Sequence, residues 1–180
     1  NLTASVQNKD SSIRGDYGEN TIATGFLGVN VLLPSLSESG ENETAFDLMT
    51  STNLASFLYS VTTGATSIWE NWTGGSTGGS RNHYSYGAAS EWLYEYAAGI
   101  QKDVKNPGFK HFILQPETDD SLTYLNGSYD SYYVNIVSNW TADQGNLTSY
   151  EAVVPANTTA TLYLPINEDT MADFATVDGI

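Results

Sequence analysis

The spacing of apolar residues changes near residue 107 of this chain. Upstream, apolar positions recur three and four apart. Ala89, Trp92, Leu93, Tyr96, Ala97 and Ile100 keep that spacing, which predicts an amphipathic helix over 84–101. Shorter helices are predicted over 22–39, 44–50 and 53–61. Ser39-Gly40-Glu41-Asn42 breaks the first from the second, and Gly64 closes the third. Pro34 lies inside the first and predicts a kink or an early stop, because proline lacks the N–H that a helix interior needs. Asn106-Pro107-Gly108 ends the helical region.

Past Gly108 the period becomes two. His111 and Ile113 oppose Phe112 and Leu114, Val134 and Ile136 oppose Asn135 and Val137, and Ala160, Leu162 and Leu164 oppose Thr161 and Tyr163. Turn residues separate the runs at Asp119-Asp120, Asn126-Gly127, Asp143-Gln144-Gly145-Asn146 and Pro155-Ala156-Asn157. About five short strands at this spacing predict a small antiparallel sandwich or barrel. The fold class expected is therefore α+β, with helices over 1–106, a β domain over 107–166 and an acidic tail or linker over 167–180. The helices form either a small bundle or one arc of a larger helical barrel, and composition does not choose between the two.

Composition narrows the function. Six basic residues against 21 acidic ones give a net charge of -15. That excess works against nucleic acid and anionic lipid, both of which need clustered Lys and Arg. There is no cysteine, so disulfides and thiolate chemistry are out, and two histidines leave little for a metal site. No cofactor is expected. No apolar run approaches the roughly 18 residues of a membrane span, and residues 1–10 are polar, without the pattern of a signal peptide. Asn-x-Ser/Thr triplets start at Asn1, Asn42, Asn71, Asn126, Asn139, Asn146 and Asn157. Chance pairing of the Asn with the Ser and Thr content gives about three, so the excess points to a secreted, glycosylated chain. An Asn- and Thr-rich surface without glycans is the other reading.

Reactive and aromatic side chains concentrate over 64–86. Thr66-Ser67-Ile68-Trp69-Glu70-Asn71-Trp72 sets a carboxylate between two indoles. Indole faces suit the C–H side of a pyranose, and a partly desolvated carboxylate suits general acid or base work. A surface Glu in a Trp-lined turn has the same sequence. Arg81-Asn82-His83-Tyr84 adds hydroxyl-binding donors, although His83 alone reads equally as a structural histidine. The glycine-rich stretch Gly74-Gly75-Ser76-Thr77-Gly78-Gly79 between the two lacks the Gly-Lys-Ser/Thr ending of a phosphate loop. Glu91 and Glu95 read as a solvated helix edge. Asp119-Asp120 has no calcium-loop spacing. The tyrosines of the β region read as core and cross-strand pairs.

Six blocks in one order resemble bacterial-type α-L-rhamnosidases of glycoside hydrolase family 78. They are Thr24-Gly25-Phe26-Leu27-Gly28; residues 64–72; Asn82-His83-Tyr84-Ser85-Tyr86-Gly87; Glu91-Trp92-Leu93-Tyr94 with Ala98-Gly99-Ile100; Pro107-Gly108-Phe109-Lys110-His111-Phe112; and Ser128-Tyr129-Asp130-Ser131 with residues 153–160. The resemblance spans about 20–165 and implies the C-terminal portion of an (α/α)6 barrel followed by a β-sandwich. It implies inverting hydrolysis of terminal α-L-rhamnose from glycosides or polysaccharides, with Glu70 as general base, His83 touching the sugar and Trp72 walling the pocket. Residues 1–17 do not match the upstream acidic loop that carries the family's general acid. The missing N-terminal part is then a partner, and the isolated chain is expected to be inactive. Residues 8–20 and Asn71 depart from the family pattern, and a glycan on Asn71 would obstruct the site. A non-catalytic extracellular carbohydrate-binding or structural protein derived from that fold is the alternative, and an inverting glycosidase for another sugar a third.

Overall fold

The computed structural model describes residues 2–8, 17–22, 24–74 and 78–166. Asn1 and the expected tail over 167–180 lie outside the described residues. The chain forms two compact units, Asn1–Trp92 and Leu93–Ile180.

The first unit is helical, with α1 (Leu2–Gln7), α2 (Phe26–Glu38), α3 (Asn42–Thr50), α4 (Phe57–Thr62), α5 (Tyr84–Gly87) and α6 (Ser90–Trp92). In α2, Val29, Leu32, Leu33 and Leu36 are buried, three and four apart as expected. The helix runs through Pro34 to Glu38 rather than stopping there. It ends at the anticipated break. Gly40 takes a φ of 78°, and the amides of Glu41 and Gly40 return to the carbonyls of Leu36 (2.9 Å) and Ser37 (3.0 Å). Those two bonds satisfy carbonyls that the helix end would otherwise leave open. Ser56 caps α4 by accepting the Tyr59 N–H at 3.2 Å. Phe46 of α3 meets Trp92 edge-on at 5.0 Å, and the Trp92 Nε1–H donates to Ser37 Oγ at 2.9 Å.

No single helix covers 84–101. The segment is α5, α6, a π-helical turn over Leu93–Ala97 and a strand, β1, over Ile100–Lys102. Gly99 explains the switch to a strand at the end of the segment. Its φ is 73°, and an added Cβ there would lie 2.1 to 2.4 Å from backbone atoms of Gln115 and Pro116. The chain turns at this glycine, and the Gly99 carbonyl accepts the Gln115 N–H at 2.8 Å. Strand pairing thus begins at residue 100, before the change of period at 107.

The second unit continues with β2 (His111–Leu114), β3 (Tyr124–Ser131), β4 (Val134–Asp143), β5 (Asn146–Val153) and β6 (Thr159–Leu162). They form two three-stranded sheets, β1-β2-β6 and β3-β4-β5. All pairs are antiparallel except β2 with β6, which is parallel. Alternation works as the pattern predicts. Phe112 and Leu114 are buried on β2, and Ile136, Ser138, Trp140 and Ala142 on β4. Ile100, Phe112 and Leu114 of one sheet pack with Ile136 of the other, which is the sandwich core. Trp140 donates its Nε1–H to the Ala97 carbonyl at 2.8 Å, and the Ser138 hydroxyl donates to the Ala98 carbonyl at 2.5 Å. These two buried bonds tie the π-helical turn to the central strand of the second sheet. His111 spans from Asp103 (Nδ1 to Oδ2, 2.8 Å) to Thr161 (Nε2 to Oγ1, 3.0 Å), joining the β1–β2 connection to β6.

Candidate active site

Glu70, Trp72 and His83 lie in the first unit on two segments that hydrogen-bond to each other across the loop between them. The Glu70 N–H donates to the Ser80 carbonyl (2.9 Å), and the His83 N–H to the Ile68 carbonyl (2.8 Å). Ser80 also grips the carboxylate, its N–H donating to Glu70 Oε2 at 2.6 Å. At the loop end, Asn71 Nδ2 donates to the Gly78 carbonyl at 2.7 Å. Gly79 allows this closure. Its φ is 92°, and a Cβ there would sit 2.9 Å from Glu70 Oε2 and 2.6 Å from Asn71 Nδ2. Residues 75–77 of the glycine-rich stretch lie outside the described residues.

Aromatic rings pack in a row from His83 to Phe57. His83 stacks on Phe26 with centroids 4.4 Å apart and planes 12° from parallel. Phe26 meets Tyr86 edge-on at 4.9 Å, Tyr86 lies 4.2 Å from Trp72, and Trp72 meets Phe57 at 5.2 Å. The Thr24 carbonyl, just before α2, accepts both the Trp72 Nε1–H (2.9 Å) and the Tyr86 hydroxyl (3.2 Å). Burial raises the Tyr86 pKa, and electrostatic repulsion from Tyr17 and Glu70 adds to that shift. Tyr86 therefore stays a neutral donor within the field of Glu70. His83 Nδ1 is buried without a hydrogen-bond partner among the described residues. Phe26, Thr24 and Tyr86 were not named as site residues from the sequence, although all three lie inside the blocks that carry the resemblance.

Two cavities of about 460 Å³ flank the segment. One is apolar, with Phe57, Val61, Ile68, Trp69, Trp72 and Tyr86 among its walls, and the other includes Tyr59, Trp69, Thr73 and Arg81. The Arg81 guanidinium lies 5.9 Å over the Trp69 ring. Neither cavity is lined by Glu70 or His83. Among the described residues no cluster of three or more His, Asp or Glu is placed to hold a metal, and no helix is long and apolar enough to cross a membrane. Asp119 serves its own turn, its Oδ1 accepting the Ser121 N–H at 2.9 Å.

Residues 5–97 match the bacterial α-L-rhamnosidase 6-hairpin glycosidase domain, and residues 99–174 match the bacterial α-L-rhamnosidase C-terminal domain. The chain belongs to the bacterial α-L-rhamnosidase family. An α-L-rhamnosidase of Formosa agariphila is 35% identical over 155 residues, covering 82% of this chain and 16% of the relative. One from Alteromonas sp. is 30% identical over 179 residues, covering 95% of this chain and 18% of the relative. The crystal structure of Streptomyces avermitilis α-L-rhamnosidase complexed with L-rhamnose superposes with a TM-score of 0.73 at 29% identity, over 81% of this chain and 15% of that one. The chain thus spans less than a fifth of the length of these α-L-rhamnosidases. Its two units are a piece of the 6-hairpin glycosidase domain and the β domain that goes with it.

Proposed function

We propose that this chain is the C-terminal part of an inverting α-L-rhamnosidase that releases terminal α-L-rhamnose from glycosides, with Glu70 as the general base. The observation that carries the reading is the hold on the carboxylate. Ser80 fixes Oε2 by a backbone N–H at 2.6 Å, which aims the side chain, and in this reading the other carboxylate oxygen takes the water. In the reaction, Glu70 takes a proton from that water as its oxygen attacks the anomeric carbon. The bond from that carbon to the aglycone oxygen breaks, and an acid protonates the departing oxygen. Inversion needs the two carboxyl groups roughly 6.5–9.5 Å apart. The acid is supplied from outside residues 1–180, by the rest of the protein.

The neighbours of Glu70 fit supporting parts. Phe26 holds the His83 ring by stacking, which suits it to meet sugar hydroxyls. A buried ring nitrogen without a partner is costly, and a group from the substrate or the rest of the barrel would relieve His83 Nδ1. Trp72 is fixed at its indole N–H and offers ring surface as a wall. Exposed apolar side chains on the same unit support membership in a longer barrel: Leu27 is 93% exposed and Tyr84 87%.

The test is the stereochemistry of the first product. Proton NMR of the full-length protein acting on an aryl α-L-rhamnoside is expected to show β-L-rhamnose first, with the α anomer growing in by mutarotation. The α anomer appearing first would overturn inversion. Sugar binding with no turnover would favour the non-catalytic binding protein.

A further inference from the structure

The Asn-x-Ser/Thr triplets sort by unit. In the second unit, Asn126, Asn146 and Asn157 are exposed: Asn126 on β3, an edge strand of its sheet, Asn146 at the start of β5 and Asn157 in the turn before β6. Asn146 Nδ2 makes only the long contacts of a hairpin tip, 3.2 Å to the Gln144 carbonyl and 3.4 Å to that of Asp143. Asn139 is half-buried in the central strand β4. It pairs directly with Asn126 on one side and with Glu151 on the other. Directly opposed side chains on one face of a sheet start roughly 5 Å apart, less than two branched sugars need. The first unit differs. Asn71 spends its amide on the Gly78 carbonyl, with Gly79 packed so close that a single carbon would reach within 2.6 Å of Nδ2. Asn42 is half-buried, its Oδ1 enclosed.

We propose that the β unit is the glycan-bearing part of the protein, with N-linked sugars on Asn126, Asn146 and Asn157. Asn71 stays bare, and Asn126 and Asn139 are never occupied in one molecule. The donor is a lipid pyrophosphate-linked oligosaccharide. The amide nitrogen bonds to C1 of its first sugar, the bond from C1 to the pyrophosphate oxygen breaks, and the lipid pyrophosphate leaves. The nitrogen gives up one proton and keeps the other. The chain then passes through a compartment that holds such a donor, on its way out of the cell. This is independent of the role of Glu70.

The full-length protein from its native source is treated with peptide N-glycosidase in ¹⁸O water and mapped by mass spectrometry. Labelled Asp is expected at 126, 146 and 157, and unmodified Asn at 71. No Lys or Arg follows Lys110 within the 180 residues, so trypsin leaves all four β-unit triplets on one peptide. Its intact mass before deglycosylation counts glycans per molecule, with three expected. A bare peptide, a fourth glycan within residues 111–180, or label at Asn71 each overturns the proposal.

Discussion

Glu117 carries a carboxyl whose pKa burial raises above its ordinary value of 4.5, a hydrogen bond with Gln115 partly offsetting the shift. In the unfolded chain this group ionises at its ordinary value. Between that value and the raised one, the folded state holds more protons than the unfolded state, so stability falls as pH rises through the window. Glu117→Gln removes the effect. Its urea midpoint relative to the parent is expected to rise between pH 4 and pH 7, and a flat difference would mean that the carboxyl is solvated. Glu70, Trp72 and His83 fall within one short stretch, where local chemistry suggests a sugar site but leaves a surface Glu and a structural His open, and their roles rest on the family resemblance. Their support was not legible. Thr24 receives Trp72 and Tyr86 from 48 and 62 residues away, and Phe26 reaches His83 by the same closure. No local pattern encodes such a meeting.

The elements record where periodicity succeeds and where one residue overrides it. The buried spacing of helix α2 and its stop at Gly40 follow from periodicity and glycine chemistry, whereas its start at Phe26 rather than residue 22 and its passage through Pro34 do not. The stretch 84–101 has helical spacing just as clean, yet it forms only short helical turns up to Ala97 and gives way to a strand after Gly99, where the close approach of Gln115 and Pro116 admits no side chain. Gly99→Ala is therefore expected to destabilise the β unit by at least about 2 kcal/mol, from a positive φ and a backbone overlap together. Chemical denaturation followed by the fluorescence of Trp140, buried in that unit, measures it, and a loss under about 0.5 kcal/mol, the usual scatter of surface substitutions, would contradict the geometry. Alternation identified the strands from 111 onward but not their partners. A period of two says which face is buried, whereas the parallel addition of β6 to β2 depends on the route the chain takes after Pro155.

At the scale of the whole molecule, the net charge of -15 works against an anionic polymer as partner. The chain covers 16% and 18% of two α-L-rhamnosidases, so turnover is a property to be measured on the full-length protein. The most direct measurement is kcat/KM of the full-length Glu70→Gln variant on an aryl α-L-rhamnoside, beside the parent enzyme at matched folding by circular dichroism. Loss of the general base predicts a fall of about 10²- to 10⁴-fold, with azide, which needs no proton removed, restoring turnover as a β-rhamnosyl azide. Activity within a few-fold of the parent would contradict the assignment of Glu70.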